Sequence, residues 1–239
     1  MHKSQVRKRM VGALTALAVM TCVGASWSAT LINTQFTTDA YYSGRALSSA
    51  PGDSWNHFDT SSGLNVALTD ATNGATGVTL SWNSDGVFGD ISNSGFMGTP
   101  YENLMGGYLY NFSGIYNITY SGLTPNSAYT FFIYSQGDYA SDERQLNVSI
   151  NGGPTETTLP TDSTADTFIL NQNFQKLFVY ADGAGQFSID YSPGNINYNE
   201  ANINAIQLID AVPEPSTFLL LGAGVGGLAL IRRKARKSR

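Results

Sequence analysis

The chain has 239 residues, long enough for one sizeable folded body with segments to spare at each end. Its net charge of −5 hides a sharp segregation, because ten of the 13 Lys and Arg residues lie before Thr30 or after Ile231. Between Thr30 and Val212, 17 acidic residues face only Arg45, Arg144 and Lys176, a balance that repels phosphate backbones and excludes nucleic acid as a partner.

The N-terminal segment, 1–29, has the three parts of a secretory signal. Lys3, Arg7, Lys8 and Arg9 precede an uncharged run from Met10 to Ala25, and small residues follow. Cleavage falls after Ala25, Ser28 or Ala29. The run is short for the roughly 20 residues that cross a bilayer, which favours a removable leader over a permanent anchor. Cys22, the only cysteine, lies in that leader, so the mature chain has no thiol, disulfide or cysteine ligand. A lipidated Cys22 would need a very small residue before it, and Thr21 stands there.

The body, 30–212, is rich in Gly, Ser, Thr and Asn, and period-two alternation recurs along it. Val78, Leu80 and Trp82 alternate with Thr79 and Ser81; Leu146, Val148 and Ile150 with Asn147 and Ser149; Phe187, Ile189 and Tyr191 with Ser188 and Asp190. Each pattern turns one face to a core and one to solvent. Tyr129 to Tyr134 and Lys176 to Tyr180 are apolar on both faces, as central strands are. Turn formers separate these runs, and Asp182 to Gly185 predicts a hairpin. No helical stripe interrupts them. The fold expected is all-β: a single antiparallel β-sandwich of jelly-roll type, flanked by an N-terminal signal helix and a C-terminal transmembrane helix.

The body also resembles the galactose-binding-like jelly rolls of exported bacterial proteins. The resemblance is carried by Gly52-Asp53-Ser54-Trp55-Asn56, Thr76-Gly77-Val78-Thr79-Leu80, Gly122-Leu123-Thr124-Pro125-Asn126 and Ile203-Asn204-Ala205-Ile206-Gln207-Leu208. It implies sugar binding in many members, although fold does not establish function.

No catalytic motif is present. Gly52-Asp53-Ser54 lacks the leucine and the late Asp-x-x-His of GDSL hydrolases, and no Gly-x-Ser-x-Gly occurs. His57, the sole histidine after the leader, excludes multi-histidine metal sites and is read as a loop or rim residue. Trp55, Tyr139 and Tyr198 lie among Asn and Asp residues and are the candidates for stacking on sugar rings. Asp85, Asp90, Asp138, Asp142 and Glu143 lie in oxygen-rich loops, which makes structural calcium the one candidate cofactor.

The last segment, 213–239, opens with Pro213-Glu214-Pro215 and continues through an uncharged run of 14 residues, Phe218 to Ile231, to Arg232-Arg233-Lys234. As a helix the run would rise about 21 Å, at roughly 1.5 Å per residue, against a hydrocarbon core of about 30 Å. It can hold the chain with its basic end cytoplasmic, but only marginally. The two prolines keep the preceding strip extended and open to a processing enzyme.

In this order the three parts resemble the PEP-CTERM sorting signal, with Pro213, Glu214 and Pro215 as sorting motif and Arg232, Arg233 and Lys234 as membrane stop. The resemblance implies a Gram-negative bacterium and recognition by an exosortase. It also implies cleavage near the motif and passage to the cell surface or extracellular matrix. Signal peptidase, the export machinery and the exosortase are the partners expected, with extracellular polysaccharide as a further one. The function expected is structural or carbohydrate-binding within the exopolysaccharide layer. The rival is an exported hydrolase of matrix polysaccharide.

Overall fold

Period-two segments of this chain fold into sheets that pack face to face. The computed structural model describes residues 30–48, 53–90, 95–137, 144–160, 165–194 and 198–210; the leader and the sorting segment lie outside them. In chain order the first strands are β1 (Leu31–Phe36), β2 (Asn56–Phe58), β3 (Ser62–Thr69), β4 (Ala75–Asn83) and β5 (Gly86–Gly89). One helical turn, α1 (Glu102–Met105), leads into β6 (Gly107–Asn111), β7 (Tyr116–Ser121) and β8 (Ala128–Tyr134). Then come β9 (Leu146–Ile150), β10 (Thr155–Thr157), β11 (Phe174–Tyr180), β12 (Gln186–Pro193), β13 (Ala201–Ile203) and β14 (Ala205–Asp210).

A five-stranded sheet has the order β11-β8-β14-β1-β2, and a six-stranded sheet the order β10-β9-β12-β7-β4-β3. Their facing sides form the main core. Phe131 of β8 and Phe187 of β12 stack across it, with centroids 5.3 Å apart and planes 6° from parallel. Val78, Leu80, Leu146, Val148, Phe187 and Ile189 all point into it, as the alternation predicts. A third, smaller sheet, β13-β6-β5, adjoins the pair. The ladders are antiparallel except for the parallel pairing of β1 with β2.

Two sequence expectations need correction. β8 is interior to its sheet, with Tyr129, Phe131 and Ile133 inward and Phe132 and Tyr134 buried on the other face. β11 is instead an edge strand whose Phe178 and Tyr180 are exposed. Secondly, the tight turn at Asp182 to Gly185 does not close a hairpin, because β11 and β12 belong to different sheets. The turn is the corner at which the chain passes from one layer to the other.

The outer face of the five-stranded sheet is also covered, except along β11. Tyr42, Trp55, Phe96, Leu104 and Met105 from overlying loops pack on Phe132 and Tyr134. Buried amides fasten these loops down, as burial of polar groups requires. Gln207 Nε2 donates to Asn33 Oδ1 (2.8 Å), Asn33 Nδ2 to Ser54 O (3.0 Å), and Ser48 N–H to Gln207 Oε1 (3.2 Å). Asn204 pins the corner between β13 and β14. Its Nδ2 faces Met105 O, Gly107 O and Gln136 O at 2.9, 2.9 and 3.1 Å, and its Oδ1 accepts the Gln136 N–H at 2.6 Å.

Candidate functional site

At one end of the sandwich the β4–β5 turn, the β6–β7 loop and the start of β13 meet in a rim. Asn111 builds the β6–β7 loop, its Oδ1 accepting the Ser113 N–H at 2.8 Å and its Nδ2 donating to Gly114 O at 3.2 Å. Gly114 turns there with φ +81, a conformation that L side chains resist. The turn projects Phe112 and Ile115 outward, 51% and 74% exposed.

Asp85 orients that loop from the neighbouring turn. Its Oδ2 accepts the Phe112 N–H at 2.8 Å, and its Oδ1 accepts the Tyr116 hydroxyl at 2.5 Å. The bond to the carboxylate raises the Tyr116 pKa. The Tyr110 ring lies 5.1 Å from that of Phe112, and its hydroxyl fills the space over Gly86, where a Cβ would stand only 2.2 Å away. Asn199 Nδ2 donates to Phe112 O, which brings the segment of Tyr198 (39% exposed) to the same rim.

Beneath it lies a polar tier. Asn83 Oδ1 accepts the Asn117 N–H (2.9 Å), Asn117 Nδ2 donates to Asp190 Oδ1 (2.7 Å), and the Tyr191 hydroxyl donates to Asn83 O (2.8 Å). Exposed aromatic faces beside amides and a carboxylate suit a ligand with an apolar face and hydroxylated edges.

The predicted site residues part company here. Asp85 and Tyr198 fall on the rim. Asp90 lies at the far end of β5, about 16 Å from Asp85 at strand rise. Trp55 is buried, its Nε1 donating to Gly44 O at 3.0 Å and its ring edge-on to Tyr42, so neither face is open to a sugar. Tyr139, Asp138, Asp142 and Glu143 lie outside the described residues, as do Pro213, Glu214, Pro215, Arg232, Arg233 and Lys234. Among the described residues no three His, Cys, Asp or Glu side chains converge as metal ligands.

His57 is half-buried on β2, with Nδ1 2.9 Å from Gln35 Oε1 and the Tyr41 ring stacked on it at 4.3 Å. Burial lowers its pKa. Phe112, Tyr110 and Tyr116 were not among the predicted site residues. The signal that could have found them is Asn111-Phe112-Ser113-Gly114, an aromatic side chain inside a tight-turn sequence.

The architecture is therefore an all-β body of sandwich-like sheets that presents an aromatic, amide-lined rim. Residues 211–234 match the model of the PEP-CTERM protein-sorting motif. The chain carries that motif, which implies export and membrane-anchored processing by an exosortase in Gram-negative bacteria.

No curated protein matches the chain. Among solved structures it is similar to an exo-β-1,3-galactanase from Phanerochaete chrysosporium, with 20% identity and a TM-score of 0.32, over 55% of this chain and 26% of the other. It is similar also to a family 35 carbohydrate binding module from Clostridium thermocellum, at 19% identity and TM-score 0.32, over 44% and 79% of the two chains. A family 35 module from an environmental isolate gives 20% identity and TM-score 0.35, over 56% and 87%. The chain thus spans about a quarter of the galactanase, and likenesses at these TM-scores carry no argument about ligand or activity.

Proposed function

We propose that this protein is a non-catalytic, carbohydrate-binding component of the exopolysaccharide layer. Signal peptidase removes the leader, and the jelly-roll body emerges tethered by its C-terminal helix. The exosortase cuts near Pro213 to Ser216 and hands the body to the surface or matrix. The observation that carries the binding role is the pair of exposed rings, Phe112 and Tyr198, on a rim held by Asp85 and Asn199. Such rings cover the apolar face of a pyranose, while amides and carboxylate accept and donate at its hydroxyls.

The test is retardation of the purified protein in gels that contain the producer's own polysaccharide. Retardation by the native protein, lost in the Phe112→Ala, Tyr198→Ala double variant, supports the reading. Absence of retardation overturns it. Shortening of the polysaccharide during the run would move the assignment to the hydrolase.

A further inference from the structure

A second surface, away from the rim, has the same chemistry on a different element. Along β11 the side chains of Lys176, Phe178 and Tyr180 all point to the outer face of the five-stranded sheet. Among the described residues no strand pairs with its other edge beyond a single bridge from Leu170 to Phe174, and Asn151 Nδ2 donates to Tyr180 O at 3.4 Å. Phe178 and Tyr180 are 73% and 69% exposed. At strand rise the two rings sit about 6.7 Å apart on one line.

Lys176 belongs to this face. Its Nζ stands 5.5 Å from the Phe178 centroid and 5.7 Å from that of Phe132, so the ammonium lies over aromatic rings. Beside the strand edge runs a groove of about 570 Å³ between the two sheets, lined by Ile150, Asn151, Pro154 and Glu156 opposite β11.

We propose that this edge is a platform for a neutral polysaccharide chain, which lies along Phe178 and Tyr180 and sends hydroxyls to Lys176, Asn151 and Glu156. Two observations select that occupant. Lys176 projects from the middle of a free edge strand, the device by which edges discourage pairing with another strand, so a second copy or an added peptide strand is disfavoured. The body's 17 acids against three cations repel a polyuronate, and Arg144 is already engaged with Glu200 at 3.2 Å. A neutral chain meets neither obstacle. The inference rests on the polysaccharide-binding reading, and it adds a contact that a long polymer can engage together with the rim.

The experiment uses the full chain, purified in detergent, in affinity gels that contain galactan, mannan, β-glucan or polygalacturonate. Variants are Phe178→Ala with Tyr180→Ala on the edge, and Phe112→Ala with Tyr198→Ala on the rim. The edge variant should melt like the native protein yet bind a neutral polysaccharide about tenfold more weakly. Full binding by the edge variant, with loss confined to the rim variant, overturns this inference and leaves the rim's function standing. Retardation by polygalacturonate alone overturns it as well. So does a native dimer that the edge variant turns into monomer in sedimentation, since the edge would then be a protein interface. A native protein retarded by none of the four would sink both.

Discussion

Replacing Asn204 with alanine tests the corner that joins the small sheet to the five-stranded one. Asn204 is fully buried, and its Nδ2 has two hydrogens for three carbonyls, so one hydrogen makes a full bond and the other is shared between two acceptors. Oδ1 adds a short bond from the Gln136 N–H. Three side-chain bonds at roughly 1 kcal/mol each, with a stranded buried N–H costing about 1–3 kcal/mol, predict a loss of about 4–6 kcal/mol. For a body of this size that corresponds to a fall in Tm of roughly 15 °C. Urea titration of the purified variant, followed by tryptophan fluorescence, measures the loss directly. Asn204→Asp keeps the acceptor but aims a carboxylate at three carbonyls, so it should be worse still at neutral pH. A loss below about 1 kcal/mol for Asn204→Ala would refute the claim that this amide holds the corner.

His57 predicts a pH dependence. Its folded pKa lies below the unfolded value near 6.5, so the folded protein binds fewer protons in the window beneath 6.5. Stability contributed by the neutral ring is present above that window and falls as pH drops through it. His57→Gln should flatten the fall in Tm between about pH 7 and 5, and an unchanged slope would assign it elsewhere. For processing, replacing Pro213-Glu214-Pro215 with alanines should leave the tail attached and the protein in the inner membrane. Intact-mass analysis of native surface protein decides this, and a chain still ending at Arg239 would contradict cleavage.

Much of the main core was legible because one face of β4, β9 and β12 is apolar and the other is wet, which is the case that period-two alternation encodes. The outer layer was not legible. Asn33, Gln35 and Gln207 alternate with apolar residues on β1 and β14 and would be assigned to solvent, yet all three are fully buried beneath loops. That hidden amide layer is also why Trp55 misleads: its Asn and Asp neighbours suggest a wet loop, but the loop is fastened to the sheet. β11 misleads in the opposite sense, since Phe178 and Tyr180 imply a covered face and stand in the open. Lys176 between the aromatics is the clue to an edge strand. Asp85, named for an oxygen-rich calcium loop, and Tyr198, named for sugar stacking, both lie on the rim. Phe112 was missed because its exposure depends on the Gly114 turn and on a carboxylate 27 positions earlier.

Sorting and recognition are separated along the strands. Asp210 N–H donates to Thr30 O at 3.0 Å, so the body begins and ends at one end of the five-stranded sheet, and only Ala211 and Val212 intervene before Pro213. Thr76 and Val78, near the start of β4, line a cavity with Thr30 and Asp210, whereas Asn83, at its finish, belongs to the polar tier of the rim. At strand rise Asn83 lies about 23 Å from Thr76 and about 17 Å from Val78. A polymer seated on Phe112 and Tyr198 therefore does not crowd the point where the chain leaves Asp210 for the sorting motif. Cleavage near Pro213, as proposed, would remove six cations and leave a body in which acids outnumber bases by 17 to three.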